Sequence, residues 1–155
     1  MSDKGYCYTK ISACEREIEA CNSAISKKNQ QISELTSLKS RIFNYSERFD
    51  EVQRNRRNSL SLAVGELFSR KRYSQKILQS YEQSMGELLS GSEHQRVLNG
   101  IFTAEEIIEE KVRKLNEEVE EHFWQISRYN TDIAEYRREI LRIKERECEH
   151  GRYDY

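Results

Sequence analysis

Residues 112–140 read VRKLNEEVEEHFWQISRYNTDIAEYRREI, and their spacing decides the fold. Val112, Leu115, Val119, His122, Ile126, Tyr129, Ile133, Tyr136 and Ile140 succeed one another at alternating intervals of three and four. With 3.6 residues per turn, that alternation puts all of them on one stripe of an α-helix. Sustained over several heptads, it predicts coiled-coil-like packing against another helix. Ile108 extends the stripe backwards and Ile143 extends it forwards, and only His122 is not clearly apolar. Just upstream lies FTAEEI (102–107). Thr103 as N-cap with Glu106 three residues on forms a capping box, and Phe102 with Ile107 fits the hydrophobic staple around it. Glu105 and Glu106 also suit the positive end of the helix dipole. A helix over about 103–147 is predicted.

The first third of the chain carries a matching stripe. Ile11, Cys14, Ile18, Cys21, Ile25, Lys28, Ile32 and Leu35 keep the same alternation, broken in character only by Lys28. Leu38, Ile42, Tyr45, Phe49 and Val52 continue it one step early, which reads as a stammer in the heptad. A helix over about 2–54 follows. RNRRNSLS (54–61) is the expected break, with Asn58 or Ser59 as N-cap. A weaker helix, about 59–89, has Leu60, Val64, Leu67, Leu78, Tyr81, Met85 and Leu88 on one face. Lys71 and Ser74 interrupt that face, and Gly65 and Gly86 each cost about 1 kcal/mol relative to alanine. The segment 90–102, with Gly91 and Gly100, reads as a linker, and 148–155 as a flexible tail. Together these elements predict one all-α domain over 1–147. Its expected form is an elongated antiparallel helical hairpin, coiled-coil-like, with a shorter central helix.

Composition agrees. The chain has 155 residues, 34% of them charged and 36% hydrophobic, and no proline. Proline interrupts helices and marks turns, so its absence favours long helices over a loop-rich or all-β fold. So little apolar material lines a narrow helix–helix seam better than it fills a thick core. A net charge of −1 gives the molecule as a whole no strong pull towards nucleic acid or anionic lipid. Apolar runs are far shorter than the ~20 residues that span a bilayer, and MSDKGYCYTK has no apolar signal region. Four cysteines without such a signal read as reduced thiols. The expected location is the cytoplasm, or outside it by a signal-independent route in company with a partner.

Candidate chemistry is sparse. Cys7, Cys14 and Cys21 recur at intervals of seven. Seven residues of helix span ~10.5 Å. That is too far for a disulfide, and metal motifs place cysteines two to four residues apart. They read as small hydrophobes of a seam. Cys148 and His150 would approach Cys7 in a hairpin, a poor basis for a metal site. His94 falls in the linker, and His122 reads as a half-exposed seam residue. Trp124, beside the stripe, reads as a residue that widens the seam into a thicker core, with a partner hot spot as the second reading. There is no nucleophile elbow, phosphate loop, HExxH or paired-cysteine motif, so neither an enzyme nor a cofactor is expected. Basic residues gather over 54–76 (Arg54, Arg56, Arg57, Arg70, Lys71, Arg72, Lys76), whereas 105–121 holds eight glutamates against three basic residues. Solvated helix faces account for both. With only Phe68 and Tyr73 interleaved, a nucleic-acid binder is not expected.

Three features in this order, ISACEREIEACNSAISKKNQQISELTSLKSRI, an irregular middle and VRKLNEEVEEHFWQISRYNTDIAEYRREI, resemble the YwqH-like family. These are small helical proteins encoded beside LXG-type polymorphic toxins. The resemblance implies a protein that binds the helical N-terminal region of such a toxin, or another small helical protein, and helps present it to a type VII secretion system. Trp124-Gln125-Ile126 is not the Trp-x-Gly turn of the wider superfamily, and the chain has no Tyr-x-x-x-Asp/Glu export signal. The resemblance therefore implies a targeting signal shared with the partner. The alternative expectation is a structural coiled coil that pairs with itself. On either reading the interacting residues are those of the two stripes.

Overall fold

A computed structural model describes residues 3–69 and 75–150, with the side chains of Ser90 and His150 outside the description. It is all-α: α1 covers Lys4–Ser69, α2 Gln75–Ser90 and α3 Ser92–His150, and there is no strand among the described residues. The chain divides into two compact units. The first combines Met1–Ser33 with Arg113–Tyr155, and the second is Glu34–Val112.

In the first unit, α1 and α3 run antiparallel. Lys4 pairs with Glu147, Glu15 with Arg137 at 4.0 Å, and Lys28 with Glu118 at 2.5 Å, so partner numbers fall as α1 advances. Cys7, Ile11, Ile133 and Ile140 form a buried cluster, with Cys14, Ile18 and Tyr136 packed on it. Cys21, Ile25, Leu115 and Val119 prolong the buried seam. Each stripe buries its apolar face against the other and leaves charge to solvent.

The second unit pairs α1 with α2 and with the start of α3. The expected break at 54–61 is absent, and α1 runs through it. That stretch contains no glycine or proline. Its asparagines and serines each cost at most about 0.7 kcal/mol of helix propensity, less than the burial of Leu60 within it and of Val64 and Leu67 beyond it returns. The stammer is absent too. Lys39, Ile42, Ser46, Phe49 and Gln53 continue the original heptad and are half-buried, while Leu38, Tyr45 and Val52 are exposed by 41%, 58% and 46%. Ile42 and Phe49 belong to both registers, so the helix keeps one phase and accepts polar residues in the remaining slots. Lys39 reaches Glu109 from its slot, at 2.5 Å.

Among the described residues, helix is interrupted at Gly91, between α2 and α3. Gly91 donates its N–H to the Glu87 carbonyl at 2.7 Å and accepts from Gln95 N–H at 3.1 Å. A Cβ at Gly91 would collide with the Glu87 carbonyl and side chain. α3 therefore begins at Ser92, and Thr103 and Glu106 sit inside it. The capping box and staple are not formed: Phe102 and Ile107 are 61% and 64% exposed. The predicted linker is helical because His94, Val97, Ile101, Ala104 and Ile108 carry the three-four stripe back through it, and that burial outweighs the cost of Gly100. Helix also continues through Cys148 to His150. The rest of the predicted tail, and Arg70, Lys71, Arg72, Tyr73 and Ser74, lie outside the described residues.

Candidate partner-docking grooves

Seam residues divide cleanly by exposure. Ile11, Cys21, Ile25, Ile108, Leu115, Val119, Ile133 and Ile140 are buried; Cys14, Ile18, Ile32, Leu35, Val112, Ile126, Tyr129 and Tyr136 are half-buried. These residues are occupied with intrachain packing. Trp124 departs from the expected core position. It is 63% exposed, beside the equally open Phe123, and its ring lies under the Arg128 guanidinium, 5.9 Å from the centroid. Two residues past His122 and two short of Ile126, it lies about 200° round the helix from the stripe and so is turned out of the seam.

Polar groups inside the first unit's seam satisfy one another. The Gln125 Oε1 accepts from the Cys21 thiol at 3.5 Å and lies 3.3 Å from His122 Nδ1. Polar residues set in a helix–helix seam specify its register. Burial, and then Asp132, push the Cys14 thiol above its ordinary value, so it stays protonated at neutral pH. The hydrogen bond to Glu109 holds the Lys39 ammonium above its usual range. No group of three or more metal-ligating side chains comes together among the described residues, and none of their helices is long and apolar enough to cross a membrane.

What the second unit does hold is open apolar surface. A groove of about 700 Å³ runs between α1 and α3, walled by Leu38, Ile42 and Tyr45 on one side and Val97, Ile101 and Ala104 on the other. A second, of about 680 Å³, lies between α1 and α2, where Val52 and Leu60 face Tyr81, Met85 and Leu88. Leu38, Tyr45, Val52 and Ser59 are spaced by seven, so the two grooves follow one face of α1 in succession. Arg41 and Arg48 edge the first groove and Arg56 the second, and neither lining contains an acid. In the sequence, Leu38, Tyr45 and Val52 already stood out as one step out of phase with the heptad. That offset places them on a second face.

No protein-family model matches the chain, and comparisons with the curated proteins and with the solved structures give no significant match.

Proposed function

We infer that this protein is a non-enzymatic helical binding protein, a chaperone or targeting partner for the helical N-terminal region of an LXG-type toxin on its way to type VII secretion. One observation carries the helix-binding part of this reading. Large apolar side chains lie open along helix faces that the intrachain seams leave uncovered: Leu38, Tyr45, Val52, Tyr81 and Leu88, the last 73% exposed. Contiguous apolar surface of this kind marks interaction sites. An amphipathic helix laid into such a groove buries it at i, i+3, i+4 and i+7. The identity of the partner and its secretion route rest on the family resemblance, as does residence in the cytoplasm before export with that partner.

Self-pairing through the stripes is the weaker reading, because Ile11, Ile133 and Ile140 are already packed together within one chain. Co-expression with the N-terminal region of a toxin encoded beside this gene is expected to give a stable complex through affinity and size-exclusion steps. A stable monomer that leaves the toxin segment behind rejects the reading. Sedimentation equilibrium at micromolar concentration tests the alternative, which requires a dimer.

A further inference from the structure

We propose that the paired grooves on the Leu38–Tyr45–Val52 face of α1 form one continuous binding site for a single acidic amphipathic helix of another protein, with Arg41, Arg48 and Arg56 selecting its charge. This rests on the helix-binding reading above and specifies the occupant. The two grooves follow the same α1 face from Leu38 to Ala63, a length of ~38 Å, which a partner helix of about 25 residues would match. Their walls are apolar, as a helix-in-groove site requires, and α1 with α2 and α3 supplies two of the three sides of a bundle.

Charge decides what kind of helix fits. Arg41 and Arg48 are one heptad apart and Arg56 lies eight residues further on. None of the three has an ion pair or hydrogen-bond partner among the described residues. With no Asp or Glu in either lining, a docked helix meets three guanidinium groups and no compensating carboxylate. A helix bearing Asp or Glu at seven-residue spacing beside its apolar stripe would meet them as flanking charges do in a coiled coil. The same argument disfavours a second copy of this chain. A two-fold dimer apposes identical patches, and here that would set arginine against arginine. Gly100 shapes the first groove from the α3 side. A Cβ built there meets nothing within 4 Å, so the space above it is open to a visitor.

The test uses the full chain and two labelled synthetic helices of 25 residues. Both carry the same leucine and isoleucine stripe; one has glutamate and the other lysine at the flanking heptad positions. Fluorescence anisotropy at low salt is expected to show the glutamate helix binding at least about ten-fold more tightly than the lysine helix, with the difference shrinking as salt rises. Combined Arg41→Glu, Arg48→Glu and Arg56→Glu should abolish that preference. Gly100→Phe, which fills the groove without changing charge, should weaken binding while the far-ultraviolet circular dichroism stays helical. Phe123→Ser, on the first unit, should leave binding unchanged.

Equal binding of both helices, binding of neither, or insensitivity to Gly100→Phe overturns the proposal. So does a concentration-dependent dimer that the triple arginine variant abolishes, which would assign the face to a second copy. Failure of this site and failure of the broader reading are distinguishable. A toxin segment that co-purifies equally with wild type and with the triple variant retains helix binding and removes this groove. A segment that co-purifies with neither removes the helix-binding reading itself.

Discussion

Cys7 is fully enclosed, Cys14 half-buried and Cys148 exposed, so one residue type samples three environments in a single chain. Because burial and Asp132 raise the Cys14 pKa above its reference of 9.0, folding favours the protonated thiol. The unfolded chain then loses this proton first as pH rises. The stability that Cys14 contributes is complete below pH 9.0 and is lost as pH climbs through the higher folded value. Iodoacetamide at neutral pH is expected to label Cys148 first, Cys14 more slowly, and Cys7 and Cys21 only after unfolding. Mass spectrometry of the labelled peptides checks the order, and early labelling of Cys7 would contradict its enclosure. Trp124 offers a second reading at this scale. It is the only tryptophan, and it is 63% exposed. Its emission wavelength should therefore shift little through a urea transition that circular dichroism records as complete. A strongly blue native emission would place the ring back in a core. Helix phase accounts for that exposure: at about 100° per residue, Trp124 stands roughly 200° from both His122 and Ile126 on the stripe, so its bulk does not bring it into the seam.

Glycine sets the elements apart. Gly91 is the hinge between α2 and α3, where a side chain would meet the Glu87 carbonyl, whereas Gly100 stands in the α3 interior with open space around it. The same substitution should thus act with opposite sign. Gly100→Ala is expected to stabilise by about 0.5–1 kcal/mol, through a less free unfolded chain and better helix propensity. Gly91→Ala should destabilise, because the backbone carbonyl cannot give way as a flexible side chain could. Urea titrations of the two variants, with unchanged slopes, would show the contrast; a stabilising Gly91→Ala would refute the hinge. Helix identity was legible in the sequence because stripes of three and four are a property of the chain itself. Helix ends were not. The capping box at Thr103 is a sound local signal, but capping contributes only about 1 kcal/mol. The residues before it, Val97 and Ile101, contribute more by packing against α1. Likewise RNRRNSLS has the look of a turn, yet contains nothing that forbids a helix, and the buried Val64 beyond it carries α1 through.

Across the whole molecule the two units differ in how they are held. Among the described residues, the buried apolar side chains of the first unit, Cys7, Ile11, Cys21, Ile25, Leu115, Val119, Ile133 and Ile140, far outnumber Val64, Leu78 and Ile108 in the second. The second also sets polar groups into its packing. His94 is buried and stacks on Phe49 at 5.1 Å, but its Nδ1 has no partner among the described residues, and neither has the Gln53 Oε1. A buried polar atom left unpaired costs about 1–3 kcal/mol. Stretches of sequence gave warning of this imbalance, since Lys39, Ser46 and Gln53 fill heptad slots where isoleucine would have packed. They read as a change of phase because pattern alone cannot distinguish a shifted stripe from an unshifted one with poor occupants. Local opening follows apolar burial, so the units should open at different free energies. Native-state hydrogen exchange is expected to be slowest for amides in 7–25 and 115–140. Those of 75–89 in α2, where Leu78 is the only buried residue, should exchange at least about ten-fold faster. If the grooves bind a helix, that difference has a use, because the weaker unit is the one whose helices must accommodate a visitor. Binding of the glutamate helix should then slow exchange in α2 and over 38–63 while leaving 7–25 unaffected. Protection that spreads evenly over both units would show that the molecule opens as one cooperative body instead.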